Sequence, residues 1–311
     1  MSAGRGACEY QAPLFIAWQL TNRCSCLCVH CCEESGPEKA WPDELSKEES
    51  LRIAAEIAGS DIPYVVFGGG EPLLAPHCWD LFERLSSAGV GLKLETDGSR
   101  VDAQRLASLQ VRCVQISVDG AKAPTHERIR PGGTFASAVS AIEGLVRAGV
   151  PVEWVFTPTR WNLSEALDAY RLASKLGCRA FIIGPLMRLG RAAAAWDELA
   201  PHQEEWNDCL STLKREKDGT RLSVYPWDIR EEMRRRLESP QAMLLIVPNG
   251  KVKLLNALPF APADLRTTSV KDAWEAYKKA WRSEAVADFI RRAQADASLL
   301  RHANETWPVG G

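Results

Sequence analysis

Five cysteines stand within nine residues: Cys24, Cys26, Cys28, Cys31 and Cys32, with His30 among them. Cys24, Cys28 and Cys31 have the spacing C-x3-C-x2-C. Three thiolates on one short loop can hold three irons of a [4Fe–4S] cluster. The fourth iron then stays open to a ligand, much as catalytic metal sites keep one position free. A structural zinc knuckle is the alternative, although zinc favours four protein ligands in paired C-x2-C units and no second pair completes such a set. Spacing alone leaves both readings open. It also leaves open whether Cys26 and Cys32 are ligands in another register, spares or packing residues.

A second motif, Val65-Val66-Phe67-Gly68-Gly69-Gly70-Glu71-Pro72, ends an apolar run. Glycines let a backbone approach a ligand closely, and a carboxylate such as Glu71 suits an ammonium group. No Gly-Lys-Ser/Thr follows, so this is not a phosphate loop.

Both motifs must be carried by regular elements. Strand-like apolar runs occur at Pro13–Leu20, Ile62–Phe67, Val90–Glu95, Cys113–Val118, Val152–Phe156 and Ala180–Ile183, each followed by a helical pattern. Ser46 with Glu49 predicts a capping box on the first helix. Pro76 suits the first turn of the second helix and Gly89 its end. Asn162 with Glu165 predicts a cap for the fifth, which Gly177 closes. Six strand–helix units imply a parallel sheet with helices outside. Six are too few for a closed eight-stranded barrel, so the expected fold is α/β, an open (β/α)6 TIM-like partial barrel. Its chemistry would lie at the C-terminal strand ends, where the cysteine loop and the glycine run both fall.

After about Gly219 the pattern changes. A strand-like Arg221–Tyr225, a charged helix Ile229–Leu237 and the runs Leu244–Val247 and Lys251–Leu255 follow one another. Asn249-Gly250 between those two runs is a hairpin signal. Helical patterns near Lys271–Trp281 and Ser283–Ala295 complete the chain. The expected organisation is a tail (1–12), a core (13–218) and a small α+β extension (219–311).

Taken in order, the motifs resemble those of the radical S-adenosylmethionine (SAM) superfamily. LTNRCSCLCVHC is similar to its cluster loop and FGGGEPLL to its GGE motif. Leu94-Glu95-Thr96-Asp97-Gly98 resembles its "TNG" strand end, with Asp97 in place of Asn. Gln115–Gly120 resembles its "ISLDG" strand. His126–Arg130 resembles "HxxIRG", with Pro131 in place of the final glycine. The likeness covers roughly residues 13–200. It implies one [4Fe–4S] cluster on Cys24, Cys28 and Cys31, and SAM at the open iron. By position, His30 would contact the adenine, and Gly69, Gly70 and Glu71 the methionine amino group. Ser117 and Asp119 would line the ribose or substrate side, and Thr157 the adenosine. Arg130 and Arg191 would pair with the SAM carboxylate or a substrate acid. The reaction implied is reductive cleavage of SAM to a 5′-deoxyadenosyl radical that abstracts hydrogen from a substrate. An external one-electron donor, a flavodoxin or ferredoxin, would be the partner.

The tail end weakly resembles the SPASM or Twitch extension, in which such a hairpin carries cysteines for a second cluster. Here Leu255 stands where the cysteine would be, and no cysteine follows Cys209. That predicts no auxiliary cluster and a redox-neutral outcome such as decarboxylation or epimerisation. Cys113, Cys178 and Cys209 are hydrogen-donor candidates by residue type. Only 23 residues precede Cys24, few for a leader-binding module. The expectation is therefore a small-molecule substrate in natural-product (antibiotic) biosynthesis, a sugar acid or nucleoside, loosely similar to cytosylglucuronate decarboxylases. Lys253, Arg160 or Arg191 would hold the acid. The alternative is a peptide-modifying maturase; a non-catalytic iron–sulfur or zinc protein is a third reading.

Bulk composition narrows the field further. The chain has 311 residues, is 46% hydrophobic and carries a formal net charge of −2. That balance does not suggest nucleic acid as a partner. The apolar run Ala12–Leu20 is far short of the ~20 residues that a bilayer needs and lacks signal-peptide features. A cytoplasmic location is expected, in which ten cysteines point to metal or redox chemistry rather than disulfides.

Overall fold

The computed structural model describes residues 6–216 and 219–309. Met1–Arg5, the expected core boundary at 218 and the last two residues lie outside them. The strands are β1 (Phe15–Thr21), β2 (Tyr64–Gly69), β3 (Gly91–Thr96), β4 (Val111–Ser117), β5 (Val152–Phe156), β6 (Ala180–Ile183), β7 (Arg221–Val224), β8 (Met243–Ile246), β9 (Lys251–Lys253) and β10 (Ala263–Asp264). They form one sheet in the order β10-β9-β8-β1-β2-β3-β4-β5-β6-β7. The run from β8 through β1 to β7 is parallel. β9 and β10 add on antiparallel.

Residues from β8, and Tyr225 directly after β7, line one cavity, yet β7 and β8 do not pair. The architecture is therefore an open, partial barrel. Two more parallel strands occur than the six expected. β7 extends the sheet beyond β6, and β8 sits against β1. Both come from the segment read as a separate appendage. Adjacency to a distant strand is a long-range property that local pattern does not carry.

The helices are α1 (Lys47–Ala58), α2 (Cys78–Ser87), α3 (Ala103–Ala107), α4 (Ala123–Ile129), α5 (Phe135–Arg147), α6 (Ala166–Lys175), α7 (Gly190–Ala194), α8 (Trp196–Leu199), α9 (Gln203–Arg215), α10 (Ile229–Glu238), α11 (Val270–Ala280) and α12 (Glu284–Ala295). The predicted capping box opens α1: Glu49 N–H donates to Ser46 Oγ at 3.2 Å, and Ser46 N–H to the Glu49 carboxylate at 2.8 Å. The cap predicted at Asn162 does not form. Asn162 instead donates to the carbonyls of Asp119 (3.1 Å) and Thr157 (3.0 Å), tying the ends of β4 and β5 together. Glu165 accepts from Ala121 N–H and the Thr125 hydroxyl instead. The same two residue types serve a cap or a strand-end clamp, and tertiary contacts decide which.

Strand side chains alternate between two environments. Ile16, Trp18 and Leu20, Leu92 and Leu94, and Val114 and Ile116 are buried. The core joins them to helix residues such as Ile53, Leu81 and Ile142. Trp18 stacks on Phe67, which meets Phe82 at a tilt of 49°, with ring centroids 6.0 and 4.7 Å apart. The intervening positions, including Gln19, Lys93, Glu95 and Ser117, face the cavity inside the barrel.

Trp154 anchors the outer core on β5. It is fully buried, stacks on Phe181 at 6.3 Å and donates its indole N–H to Val118 O at 2.9 Å. Trp154→Ala is expected to lower the unfolding free energy by about 3–5 kcal/mol, read from urea denaturation.

Candidate functional site

The residues that follow β1 have almost no regular structure, so their backbone groups need partners from elsewhere. Leu27 and Val29 N–H donate to Pro131 O (2.7 Å) and Ile129 O (2.9 Å). Cys24 N–H donates to Gly36 O at 3.0 Å. Arg191 reaches in from the start of α7 and donates to Cys28 O (2.7 Å) and Ser35 O (2.8 Å). Asn304, near the chain's end, donates to Cys32 O at 3.0 Å. Elements far apart in sequence thus fix one cysteine loop.

All five clustered cysteines line a cavity of about 740 Å³. Hydrogen bonding from Cys26, whose N–H donates to Cys24 Sγ at 3.4 Å, lowers Cys24 below the usual thiol range. Cys28 comes down to about 5 against burial through its neighbour Cys26, with help from Arg130 and His30. Arg130 Nη1 lies 3.5 Å from Cys28 Sγ. Burial pushes Cys31 and Cys32 up. Both downward shifts favour the thiolate form that ligates metal.

The glycine run is zipped to this loop. Gly70 and Glu71 N–H donate to Thr21 O and Arg23 O, both at 2.8 Å. A Cβ on Gly70 would sit 2.2 Å from Arg23 O, so only glycine fits there. Glu71 is 1% exposed, and its carboxylate accepts from Thr96 Oγ1 (2.8 Å), Asp97 N (2.9 Å) and Leu73 N (3.1 Å). Burial and the Asp97 charge push it up to about 8. Its carboxylate braces the end of β3, and the residue lines the cavity beside Gly69 and Gly70. What this segment can present to a ligand is the backbone of Gly69 and Gly70.

Asp119 is wholly buried and lies behind the cavity wall, a further correction. It accepts from Arg130 Nε (2.6 Å) and Thr157 N (2.7 Å), and pairs with His30 Nε2 (2.7 Å). Burial alone would raise this acid, but Arg130 and His30 hold it well below the carboxylate range. His30, Ser117, Arg130 and Thr157 line the cavity. Arg191 does not; it holds loop carbonyls.

The cations nominated to bind a substrate acid are engaged elsewhere. Arg160 donates to Ala200 O. Lys253, 2% exposed, donates to the carbonyls of Ala303 and Asn256. Cys113, Cys178 and Cys209 lie away from the cavity, so none is placed to give hydrogen to a substrate there.

Several cavity residues went unread. Gln19, Lys93 and Glu95 sit at inward strand positions, legible as polar residues alternating with apolar ones. Glu95 has no hydrogen-bond or ion-pair partner among the described residues, and its exposure is to the cavity. Gly68, lacking a Cβ, makes room for its carboxylate. Tyr225, Trp227 and Met187 line the cavity from the side of β7 and α7.

Comparisons with known proteins agree with this geometry. Residues 18–160 match the sequence model described as the radical SAM superfamily. Mycofactocin maturase MftC of Mycobacterium ulcerans (strain Agy99) is 38% identical over 194 residues, 61% of this chain and 52% of the relative. AdoMet-dependent heme synthase of Methanosarcina barkeri (strain Fusaro / DSM 804) is 32% identical over 198 residues, 62% of this chain and 56% of the relative. The chain thus spans about half the length of the curated relatives it matches. In structure it is similar to Streptococcus suis SuiB bound to precursor peptide SuiA, with a TM-score of 0.68 at 10% identity. That match covers 85% of this chain and 65% of SuiB. Among the described residues, no helix is long and apolar enough to cross a membrane.

Burial of Lys253 predicts a pH signature. Desolvation brings it down from 10.5 to about 8, Glu33 notwithstanding. The unfolded chain keeps this proton up to about pH 10.5 while the folded chain releases it near 8. Folding should therefore strengthen as pH rises through that window, by up to about 3 kcal/mol. Urea denaturation at pH 8 and 10.5 should show this gain in the wild type and its loss in Lys253→Met.

Proposed function

The chain carries a radical SAM domain, and from that premise we propose that it is a radical SAM enzyme that modifies a peptide. The observation that supports this most is the convergence of Cys24, Cys28 and Cys31 on one cavity beside the glycine run. Their donor set suits a [4Fe–4S] cluster: three thiols on one clamped loop, two of them biased toward thiolate. These three cysteines would hold the cluster, and the backbone of Gly69 and Gly70 would face the methionine end of SAM. When bound, the reduced cluster and SAM supply a 5′-deoxyadenosyl radical that abstracts hydrogen from an unactivated carbon.

The chain's own residues do the rest. Arg130 offers positive charge beside Cys28 and is held in orientation by Asp119. His30 is aimed by the same carboxylate, and Ser117 and Thr157 form the wall at the ends of β4 and β5. The loop and the barrel interior enclose the reacting region, which protects it from competing reactions. Electrons come from an external one-electron donor, a flavodoxin or ferredoxin.

The relatives named maturases, and the SuiB structure with its precursor peptide, favour a peptide over the small carboxylate expected at first. The site supports the same shift, because Lys253, Arg160 and Arg191 are all tied to backbone carbonyls. A cavity of about 740 Å³ has room for SAM and one substrate side chain, within the ~300–1,000 Å³ usual for ligand pockets. The remaining substrate would lie outside, along Tyr225 and Met187, which are exposed at its edge.

Anaerobic reconstitution should load about four irons per chain. Cys24→Ala, Cys28→Ala and Cys31→Ala should each abolish both the cluster and dithionite-dependent release of 5′-deoxyadenosine. Cys26→Ala and Cys32→Ala should retain the iron. With candidate substrates, deuterium should pass into 5′-deoxyadenosine from labelled peptides. Transfer from sugar acids alone would restore the small-molecule reading.

A further inference from the structure

Two departures from the motifs described above meet in space. Asp97 stands where an asparagine was expected, and Cys26 is an extra thiol inside the C-x3-C segment. The Cys26 thiol donates to Asp97 Oδ2 at 3.3 Å. The same oxygen accepts from the Ser25 hydroxyl at 2.6 Å. Cys26 N–H donates to Cys24 Sγ at 3.4 Å. The Cys24 and Cys26 sulfurs and a carboxylate oxygen of Asp97 all lie within 4.8 Å of one another. Space for the thiol comes from Gly133, where a Cβ would approach Cys26 Sγ to 2.9 Å.

Asp97 itself is firmly held. Ser99 N–H donates to Oδ1 at 2.7 Å, and Asp97 N–H donates to Glu71 at 2.9 Å. No cation pairs with it among the described residues. Arg130, which lines the same cavity, is engaged by Asp119 and Cys28. A carboxylate without a counter-ion therefore stands beside Cys24, with a thiol hydrogen as partial compensation.

We propose that Asp97 and Cys26 are a paired positioning device that sets the reduction potential of the cluster on Cys24, Cys28 and Cys31, with neither residue a ligand. The potential of an iron–sulfur cluster follows nearby charge and the hydrogen bonds to its sulfurs. Uncompensated negative charge opposes adding an electron, so Asp97 makes the cluster a stronger reductant. The Cys26 thiol works in the opposite direction, because its hydrogen offsets part of that charge. Asn at 97 would keep an acceptor for Ser25 and remove the charge. The inference rests on the cluster assignment, and iron content tests that assignment separately.

The experiment compares anaerobically reconstituted wild type, Asp97→Asn, Cys26→Ala, Cys26→Ser and the Cys26→Ala/Asp97→Asn double variant. Iron and sulfide are counted, and redox titrations follow the spin signal of the reduced cluster. All should hold wild-type iron. The midpoint should move positive in Asp97→Asn and negative in Cys26→Ala. Cys26→Ser, which keeps a donor, should stay near the wild type. In the Asp97→Asn background, Cys26→Ala should move the midpoint less than it does alone.

Unmoved midpoints, or shifts of one sign in both single variants, would overturn the proposal, since a steric role gives no opposed signs. Iron lost on Cys26→Ala alone would overturn it by making Cys26 a ligand. Should Asp97→Asn fail to take up the cluster, the contrast between Cys26→Ala and Cys26→Ser decides. A wild type that holds no iron sinks the cluster assignment itself.

Discussion

One buried carboxylate organises the ligand end of the barrel. Asp119 is fully enclosed, and a charge in that setting persists only with partners. Arg130, His30 and Thr157 N–H supply them, from α4's end, the cysteine loop and the end of β5. Removing one partner of such a buried pair typically costs about 3–5 kcal/mol, because the other charge is left stranded. The cysteine loop is thus placed by electrostatic necessity. Moving His30 or Arg130 away would remove part of the compensation that keeps Asp119 ionised, and Arg130 in turn carries its charge to Cys28.

The backbone of the same loop poses a separate constraint, met from the middle of the chain and from near its end. Arg191 takes two carbonyls from one side, and Asn304 takes one from the other. Asn304 is in place because the segment after Pro240 packs along β1. β8 pairs with β1 in parallel register, Phe15 opposite Met243. That covers an edge strand that would otherwise be open to other chains. The hairpin β8–β9 carries Lys253, and Leu255, at the position where a cysteine was expected, follows it. Leu255 faces the cavity, and the Lys253 ammonium caps carbonyls of the terminal segment. A hairpin without cysteines is therefore structural support for the loop.

What could be read from sequence, and what could not, divides along a physical line. The C-x3-C-x2-C spacing and the glycine run are local, and their chemistry follows from residue type. Ser46 and Glu49 were legible for the same reason, since a capping box closes within four residues. A turn joins β8 and β9 where Asn249-Gly250 signalled one, though it spans Val247 to Gly250 and only Gly250 of the pair has positive φ, at 81°. Direction was not legible. Asp119 and Arg191 stand at the positions expected, but their side chains point into the protein fabric because buried partners hold them there. Asn162 and Glu165 carried a helix-cap signature and became clamps between strand ends. β7 and β8 joined the sheet, although no local pattern distinguishes a core strand from one in an appendage.

The interior face of the sheet explains why a cavity survives at all. Closed parallel barrels fill their centres with layers of branched apolar residues. Here the inward positions of β1, β3, β4 and β5 include Gln19, Glu95, Gln115 and Glu153 in one register row. Glu153 is satisfied by Gln115 (2.9 Å) and Arg179 (2.6 Å), with Lys93 at 3.8 Å. Glu95 lines the open space with no hydrogen bond or close ion pair among the described residues, the charge of Lys93 being its attraction. Collapsing the barrel onto these groups would bury charges without partners, a cost that apolar contact does not repay. The cavity is thus held open by the polarity of its own wall. Of this row, Glu95 is the group that lines the cavity with its carboxylate free of hydrogen bonds among the described residues, and it lies on the strand below the cysteine loop.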